Sequence, residues 1–520
     1  MTVARLSSTS SPILDYYDGR TLLVVGGSGF LGTAICWKLV TCTNVKQIYV
    51  LVRGGEDRLW KKWTSYLQDS QITTLRDSNL ITPVDGDACN SKEIGITSAD
   101  LLTTLRSTVS IIVNLAHNPR LLSTLSEIRS TNIDPALYVA SFALGFPHLS
   151  RFVYASSAYA NSHLHLLHDG LATNIHEVVY PTEPQEYSRA APATPSTLTA
   201  EHLARTAEAE YAALFTTGTT PPYSAGVFFS ASTYAKHLTE RLLLSRYPPL
   251  GLSHLMIFRP SCIGPALREP YPTFEILGST PVTTLISTAI SAPTDALLLP
   301  TRSTTNASDG PAGLHTLIDE IPVDLCANQL IAHIAHGTTG PVHAIANVGA
   351  LEEPDPRLHL GEYWDEYANC VPYVQRPVDL GWLDIDAVLR NVLRSESELQ
   401  LTPVVRMYAH LGSTFTFANG KTGKLWEEGM QEVEQDLFPF WAIGRDEILC
   451  ALRLRRKRTR QAIATGFKEL EMFVGLDGPN GVEKGLGSGD AVTEYRKGGV
   501  LLPIATSVPV GEGIVLPTLA

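Results

Sequence analysis

The fold of this chain is decided near its beginning by residues 21–40, which read TLLVVGGSGFLGTAICWKLV. Residues 21–25 form a short, largely apolar and partly β-branched run, which is typical of a fully buried strand. Glycines follow at once, and residues 33–40 then repeat apolar side chains at helical spacing. The stretch therefore predicts a strand, a glycine-rich turn and a helix in direct succession.

Later apolar runs resemble the first one, at residues 47–52, 109–114 and 151–155. Segments with helical character lie between them. Strands that alternate with helices form βαβ units, whose strands are parallel and covered by helices on both faces. We therefore expect an α/β protein built on a doubly wound parallel sheet of the Rossmann type.

The amino-acid composition excludes several classes of protein. The chain has 520 residues, of which 44% are hydrophobic and 18% charged, and this excludes wholesale disorder. Its 40 basic and 52 acidic residues give a net charge of -12, which disfavours a protein built mainly to bind nucleic acid. The seven cysteines form no C-x-x-C pair, so we expect neither a zinc ribbon nor a disulfide framework.

No apolar run of about 18 residues occurs, and the first residues lack the apolar region of a secretory signal. We therefore expect no transmembrane segment and an intracellular location, either cytoplasmic or peripheral to an organelle membrane. The character of the sequence changes near residue 350. We predict a nucleotide-binding domain with a substrate lobe at 14–350, a smaller, mainly helical domain at 351–474, and a flexible glycine-rich tail at 475–520.

The loop between the first strand and the first helix has the spacing of a dinucleotide-binding motif. Its glycines allow the backbone to turn sharply and to approach a pyrophosphate, while the helix N-terminus offers N–H groups. The alternative is a glycine-rich structural turn. We predict that the cofactor is bound by the seven residues of this loop: Gly26, Gly27, Ser28, Gly29, Phe30, Leu31 and Gly32.

The ends of the next strands indicate which dinucleotide is bound. Arg53 occupies the place where an acidic residue would favour NAD, and a guanidinium suits the 2′-phosphate of NADPH. Asp87 follows the third predicted strand and is expected near the adenine. Asn114 and Ala116 end the fourth strand and are expected along the inner half of the cofactor.

At this point the sequence resembles the fatty acyl-CoA reductases, which are extended short-chain dehydrogenase-like enzymes with an added C-terminal domain. The resemblance extends over about residues 14–445. The motif FVYASSAYAN at 152–161 is the longest matching segment. Further matching segments lie at 16–20, 50–53, 84–87, 258–261, 268–272, 321–324 and 415–419.

The resemblance implies that NADPH delivers hydride to the thioester carbon of a long-chain acyl-CoA, giving an aldehyde and in many members a primary alcohol. It also implies a Ser or Thr after one strand and a Tyr-x-x-x-Lys pair on the following helix. Ser157 matches the first position and Lys236 the lysine, which binds the nicotinamide ribose in the family.

The tyrosine of the pair is missing. Ser232 stands four residues before Lys236, and none of the 19 tyrosines has a lysine four positions later. Three alternatives stay open: Ser232 acts as a smaller hydroxyl in a slow reductase, Tyr234 acts from an irregular helix, or the protein is a silent NADP- or acyl-CoA-binding relative. On a regular helix Tyr234 would point away from the lysine.

Other features concern partners. The substrate is expected to be a long-chain acyl-CoA or another acyl thioester, such as one on a carrier protein.

Three histidines at positions 163, 165 and 168 lack a metal-binding motif, so no metal site is expected. A basic cluster either contacts anionic lipid or CoA phosphates or is a solvated helix face. It consists of Arg453, Arg455, Arg456, Lys457, Arg458 and Arg460.

Overall fold

The structure is a computed structural model. It describes residues 11–118, 123–164, 174–182, 200–224, 228, 230–251, 254–276, 279–282, 296–301, 316–346, 357–363, 379–384, 414–440, 447 and 449.

The strands alternate with helices along most of the described chain. The strands are β1 (Thr21–Val25), β2 (Gln47–Val52), β3 (Ile81–Asp85), β4 (Val109–Asn114), β5 (Arg151–Ala155), β6 (Asn174–Ile175), β7 (Leu255–Pro260), β8 (Cys262–Gly264), β9 (Ala296–Thr301), β10 (Leu317–Ile318), β11 (Glu320–Pro322), β12 (Gly340–Ala344), β13 (Leu358–His359), β14 (Asp379–Asp384) and β15 (Thr416–Phe417).

The α-helices are α1 (Pro12–Tyr17), α2 (Phe30–Cys42), α3 (Gly55–Tyr66), α4 (Asp69–Asp77), α5 (Ala99–Thr108), α6 (Leu125–Ile128), α7 (Asp134–Ala143), α8 (Ala200–Thr217), α9 (Pro221–Ser224), α10 (Ala231–Arg246), α11 (Pro248–Gly251), α12 (Val323–Ala335), α13 (Gly420–Lys424) and α14 (Glu432–Leu437). The described residues also form two 3₁₀ turns, Glu93–Gly95 and Ala158–Asn161, and two π-helical turns, Arg129–Ile133 and Leu425–Gly429.

Seven parallel strands form the central sheet, in the order β12-β7-β5-β4-β1-β2-β3. The chain runs outward from β1 to β3 and then returns to the other side of β1 at β4. Ligands of such sheets bind outside the carboxyl ends of the strands, at the point where this direction reverses. The predicted doubly wound parallel sheet is confirmed.

The two faces of the sheet carry separate hydrophobic cores, because side chains alternate along each strand. Leu22 and Val24 of β1 pack with α2 and α12 on one face. Leu23 and Val25 pack with α7 and α10 on the other. Both faces are therefore covered by helices, as the continuous apolar runs of the strands require.

Residues 414–440 pack directly onto the nucleotide-binding half of the molecule. Leu425 and Phe438 belong to the same core as α1 and α12. The carboxylate of Glu434, which is 0% exposed, accepts hydrogen bonds from the Ser11 hydroxyl at 2.6 Å and the Ile13 N–H at 2.7 Å. The separate domain at 351–474 stays a prediction, since only parts of it lie within the described residues.

Several predicted features lie outside the described residues, namely the basic cluster at 453–460, the tail at 475–520, and the histidines at 165 and 168. Of the helices that the structure describes, none has both the length and the apolar character needed to span a membrane. Within the same residues, no group of three or more His, Cys, Asp or Glu side chains is arranged to hold a metal ion.

Candidate functional site

The loop between β1 and α2 depends on two glycines. Gly26 has a φ of +86°, and a Cβ there would lie 2.8 Å from the backbone nitrogen of Ala116. At Gly32, a Cβ would lie 2.5 Å from the Gly26 carbonyl oxygen and 2.6 Å from the Cα of Gly27. Both positions therefore exclude a side chain. The resulting turn leaves the N-terminus of α2 open at the carboxyl end of β1, a cradle that fits a pyrophosphate.

The first residues of α2 contribute to this cradle through their backbone only. The side chains of Phe30 and Leu31 are buried in the hydrophobic core, at 7% and 8% exposure. The ring of Phe30 packs against that of Phe274, with 5.5 Å between the centroids. The N–H groups at the start of the helix are thus the part of these residues that is offered to a ligand.

The other residues predicted to bind the cofactor follow neighbouring strands at the same edge of the sheet. Arg53 is exposed directly after β2, and Asp87 is half-buried two residues after β3. Asn114 ends β4, is 2% exposed, and accepts a hydrogen bond from the Ala116 N–H at 3.2 Å. The structure therefore brings all of these residues to the carboxyl ends of the strands.

Two cations that the sequence reasoning missed lie beside Arg53. Arg58 and Lys62 stand four residues apart on α3, which begins just after β2. The ammonium of Lys62 donates to the hydroxyl of Ser28 in the glycine loop at 3.3 Å. Partial burial, together with the charges of Arg58 and Arg53, lowers the pKa of Lys62. The sequence signal for this cluster of Arg53, Arg58 and Lys62 is the i, i+4 spacing of Arg58 and Lys62 shortly after Arg53.

Ser157 and the ammonium of Lys236 both lie at the carboxyl end of β5. The Ser157 hydroxyl accepts a hydrogen bond from the Tyr159 N–H at 3.2 Å and begins a 3₁₀ turn. Lys236 of α10 is 7% exposed, and its ammonium donates to the carbonyl of Ala155 at 2.5 Å. Its nitrogen also lies 4.9 Å from the ring centroid of Tyr154. Burial lowers the pKa of Lys236 to about 8, although the nearby Glu240 acts in the opposite direction.

Glu240 lies one helical turn after Lys236 and was not identified from the sequence as a site residue. Its carboxylate accepts a short hydrogen bond from the Ser156 hydroxyl and pairs with the guanidinium of Arg259 at the end of β7. The two side chains of this ion pair are 0% and 1% exposed. Glu240 thereby links the helix that carries Lys236 to the residue next to Ser157.

Tyr234 lies on the opposite side of α10 from the lysine contacts. Its hydroxyl donates to Glu210 of α8 at 2.6 Å, and Arg241 binds the same carboxylate through two hydrogen bonds. Burial raises the pKa of Tyr234 well above its ordinary value, and the Glu210 charge adds to this effect. Ser232 is half-buried on the turn that precedes Lys236. The structure therefore brings Ser157 and Lys236 to the same strand end, and places the Tyr234 hydroxyl in a separate buried network.

Comparison with known proteins gives a family match over more than half of the chain. Residues 24–330 match the NAD-binding family model described as male sterility protein. Fatty acyl-CoA reductase 1 of Xenopus laevis is 25% identical over 326 residues, which are 62% of this chain and 55% of the relative. Human fatty acyl-CoA reductase 2 is 25% identical over 271 residues, or 50% of this chain and 47% of the relative. The chain spans about half the length of the curated relatives it matches.

Solved structures share the fold at low sequence identity. The reductase domain of a nonribosomal peptide synthetase from Mycobacterium tuberculosis is 16% identical with a TM-score of 0.51, covering 87% of this chain and 94% of that domain. The terminal R domain of the myxalamid biosynthetic pathway is 17% identical with a TM-score of 0.50, covering 85% of this chain and 91% of that domain. These likenesses extend the similarity of fold beyond the segment that the family model covers.

Proposed function

This chain belongs to the male sterility protein family of NAD-binding domains, and on that basis we propose that it reduces a long-chain acyl-CoA with NADPH. The product is an aldehyde, which a second reduction would convert to a primary alcohol. The observation that carries the proposal is the position of Lys236 and Ser157 at the strand end beside the glycine cradle. The curated relatives named as fatty acyl-CoA reductases support the choice of an acyl thioester.

Bound NADPH would supply a hydride at the carboxyl end of the sheet. The backbone of residues 26–32 would hold its pyrophosphate, and Lys236 would bind the nicotinamide ribose. Ser157 is placed to donate a hydrogen bond to the oxygen of the reacting carbonyl, which gains negative charge as the carbon is reduced. Burial of Lys236 strengthens its electrostatic effect on that oxygen, because little water screens the charge.

The preference for NADPH over NADH rests on Arg53, Arg58 and Lys62. A 2′-phosphate placed beside this cluster would accept charge-assisted hydrogen bonds, whereas the free hydroxyl of NADH would not. We expect Arg53→Ala and Lys62→Ala each to reduce the ratio of NADPH to NADH affinity at least tenfold, measured by cofactor fluorescence.

Lys61→Ala is the matched control. Lys61 is the neighbour of Lys62 on the same helix, but it lines an outer groove with Glu56, Asp57, Trp60 and Arg76. Its substitution should leave the cofactor preference unchanged within about twofold. Unchanged preference in Arg53→Ala and Lys62→Ala would remove the assignment of NADPH.

The reaction itself is tested with purified protein, NADPH and palmitoyl-CoA, with extraction and identification of the products. Production of aldehyde or alcohol that is lost in Lys236→Ala supports the proposed reductase. A palmitoyl thioester of a carrier protein is the second substrate, because two structures that share the fold are reductase domains from nonribosomal peptide and mixed polyketide–peptide synthesis. Cofactor binding without turnover on either thioester indicates a silent binding relative instead.

We also propose that the protein acts in a reducing intracellular compartment. The cysteines at 36, 42, 89, 262 and 326, which lie within the described part of the chain, are free thiols. The possible peripheral membrane contact through residues 453–460 is tested by flotation with anionic liposomes, where binding that weakens with salt supports it.

A further inference from the structure

Lys236 is a buried cation that lacks a carboxylate of its own among the described residues. Its ammonium donates to the backbone carbonyl of Ala155, which is neutral. The nearest acid on its helix, Glu240, has both carboxylate oxygens bound by Arg259 and one of them also by Ser156. The ammonium therefore keeps N–H groups that can be directed to a substrate oxygen.

The hydroxyl groups of Tyr234, Tyr159 and Ser232 are poor sources of a proton at this strand end. Tyr234 donates its proton to Glu210, away from the strand end. Tyr159 packs edge-on against the rings of Phe415 and Phe417, and burial raises the pKa of its hydroxyl well above the ordinary value. Ser232 is an alcohol and hence a much weaker acid than a phenol.

The substitution that removes the phenol also leaves room beside the lysine. Ser232 lies four residues before Lys236, so the two side chains share one face of α10. A tyrosine at this position would share that face with the lysine and could contact it. Serine is far smaller and covers less of the lysine side chain.

Resting on the proposed function, we propose that the Lys236 ammonium is itself the proton donor to the oxygen of the acyl thioester. As the carbonyl carbon accepts a hydride from the reduced nicotinamide, its oxygen becomes an alkoxide, takes a proton from Lys236 and leaves a neutral amine. In the collapse of the hemithioacetal, the amine takes back the hydroxyl proton and the C–S bond breaks. The thiolate leaves with the electron pair of that bond, so the lysine ends the cycle protonated.

The charged and titratable groups around Lys236 are consistent with a donor that changes its charge near neutral pH. Tyr154 of β5 faces the ammonium with its ring, and Arg259 of β7 neutralises Glu240. His117, which follows β4, interacts electrostatically with Lys236. Burial lowers the pKa of Lys236 to about 8, close to the value that general acid catalysis requires at neutral pH.

The test compares Lys236→Arg in two backgrounds. Arginine keeps the positive charge but does not release a proton near neutral pH. In the wild-type background we expect NADPH affinity to stay within about threefold and turnover with palmitoyl-CoA to fall at least about 100-fold. In the Ser232→Tyr background the phenol supplies the proton, so Lys236→Arg should lower turnover with palmitoyl-CoA by less than about tenfold.

A second measurement does not depend on turnover. In protein labelled with ¹⁵N-lysine, the Nζ resonance that disappears in Lys236→Arg should titrate with a pKa near 8 without any ligand. Titration near the ordinary value of about 10.4 would overturn the proposal. Assigning the same resonance with a second variant, Lys236→Met, keeps this readout independent of whether Lys236→Arg folds.

The outcomes separate this role from the proposed function. If the wild type turns over and Lys236→Arg keeps more than a tenth of that turnover, the lysine acts only as a charge, and the proton-donor role is overturned while the reductase stands. If neither the wild type nor Ser232→Tyr reduces palmitoyl-CoA or a carrier-bound thioester, the proposed function fails and the proton-donor role fails with it.

Discussion

Glu240 and Arg259 form an ion pair that is almost completely withdrawn from water, with side chains 1% and 0% exposed. Glu240→Leu would leave the guanidinium of Arg259 buried with only the backbone carbonyls of His176 and Val178 as acceptors. Removing one partner of a buried pair costs about 3–5 kcal/mol, because the other charge stays desolvated. We expect Glu240→Leu and Arg259→Met each to lower the free energy of unfolding by that amount.

The double variant Glu240→Leu/Arg259→Met leaves neither charge behind. Its destabilisation should be smaller than the sum of the single effects by at least about 2 kcal/mol. The assay is urea unfolding followed by far-UV circular dichroism and by tryptophan fluorescence, which must give coincident transitions for the comparison to hold.

An exposed ion pair in the same chain provides the control. Arg268 and Glu447 lie 3.2 Å apart, with side chains 63% and 51% exposed. Solvent screening makes such a pair worth less than about 1 kcal/mol, so Glu447→Ala should be nearly neutral. If Glu240→Leu costs no more than Glu447→Ala, or if the two core substitutions simply add, the reasoning from burial is wrong.

Three further predictions concern the loop, the second hydroxyl and pH. Gly32→Ala should weaken NADPH binding at least tenfold in a fluorescence titration, because the new Cβ would clash with the Gly26 carbonyl. Gly420→Ala is the control and should leave binding unchanged, because a Cβ at Gly420 has nothing within 4 Å. Tyr234→Phe should keep turnover within about threefold and cost about 1–2 kcal/mol in urea unfolding; a large loss of turnover would restore this tyrosine as a catalytic candidate. Burial lowers the pKa of His333 from 6.5 to about 3. The contribution of the neutral imidazole to the free energy of unfolding is therefore fully present above pH 6.5. It is lost at about 1.4 kcal/mol per pH unit as the pH falls toward 3. Urea unfolding of His333→Gln should therefore depend less on pH between 6.5 and 4, and an unchanged pH dependence would contradict this assignment.

The central part of the fold could be predicted because its strands are buried on both faces. Apolar runs such as residues 47–52 and 109–114, when they lie between helical segments, predict strands of a parallel sheet that is covered by helices on both faces. The last strand of the sheet, β12, was not predicted. Its sequence GPVHA contains glycine and proline, which disfavour strands, but among the described strands it lies at the edge of the sheet, where it pairs with β7.

The candidate site could be predicted where it depends on position along strands and helices. The carboxyl ends of parallel strands meet at one edge, so the glycine loop, Arg53 and Asn114 could be placed together without coordinates. The role of Glu240 could not, because its partners Ser156 and Arg259 are 84 and 19 residues away in the chain. The contacts of Glu240 with Ser156 and Arg259 depend on how α10 packs on the sheet, and the residues next to Glu240 in the sequence do not predict them.

The contact between the two ends of the described chain has a consequence for biosynthesis. Ser11, which caps α1, is held by Glu434, and 423 residues separate them. Ribosomes add about 5–20 residues per second, so the newly made N-terminal segment waits roughly 20–85 s for this partner. During that interval α1 lacks its buried carboxylate and its contact with residues 430–440. The segment that contains α1 therefore gains this contact only after residue 434 has been made, long after α1 itself.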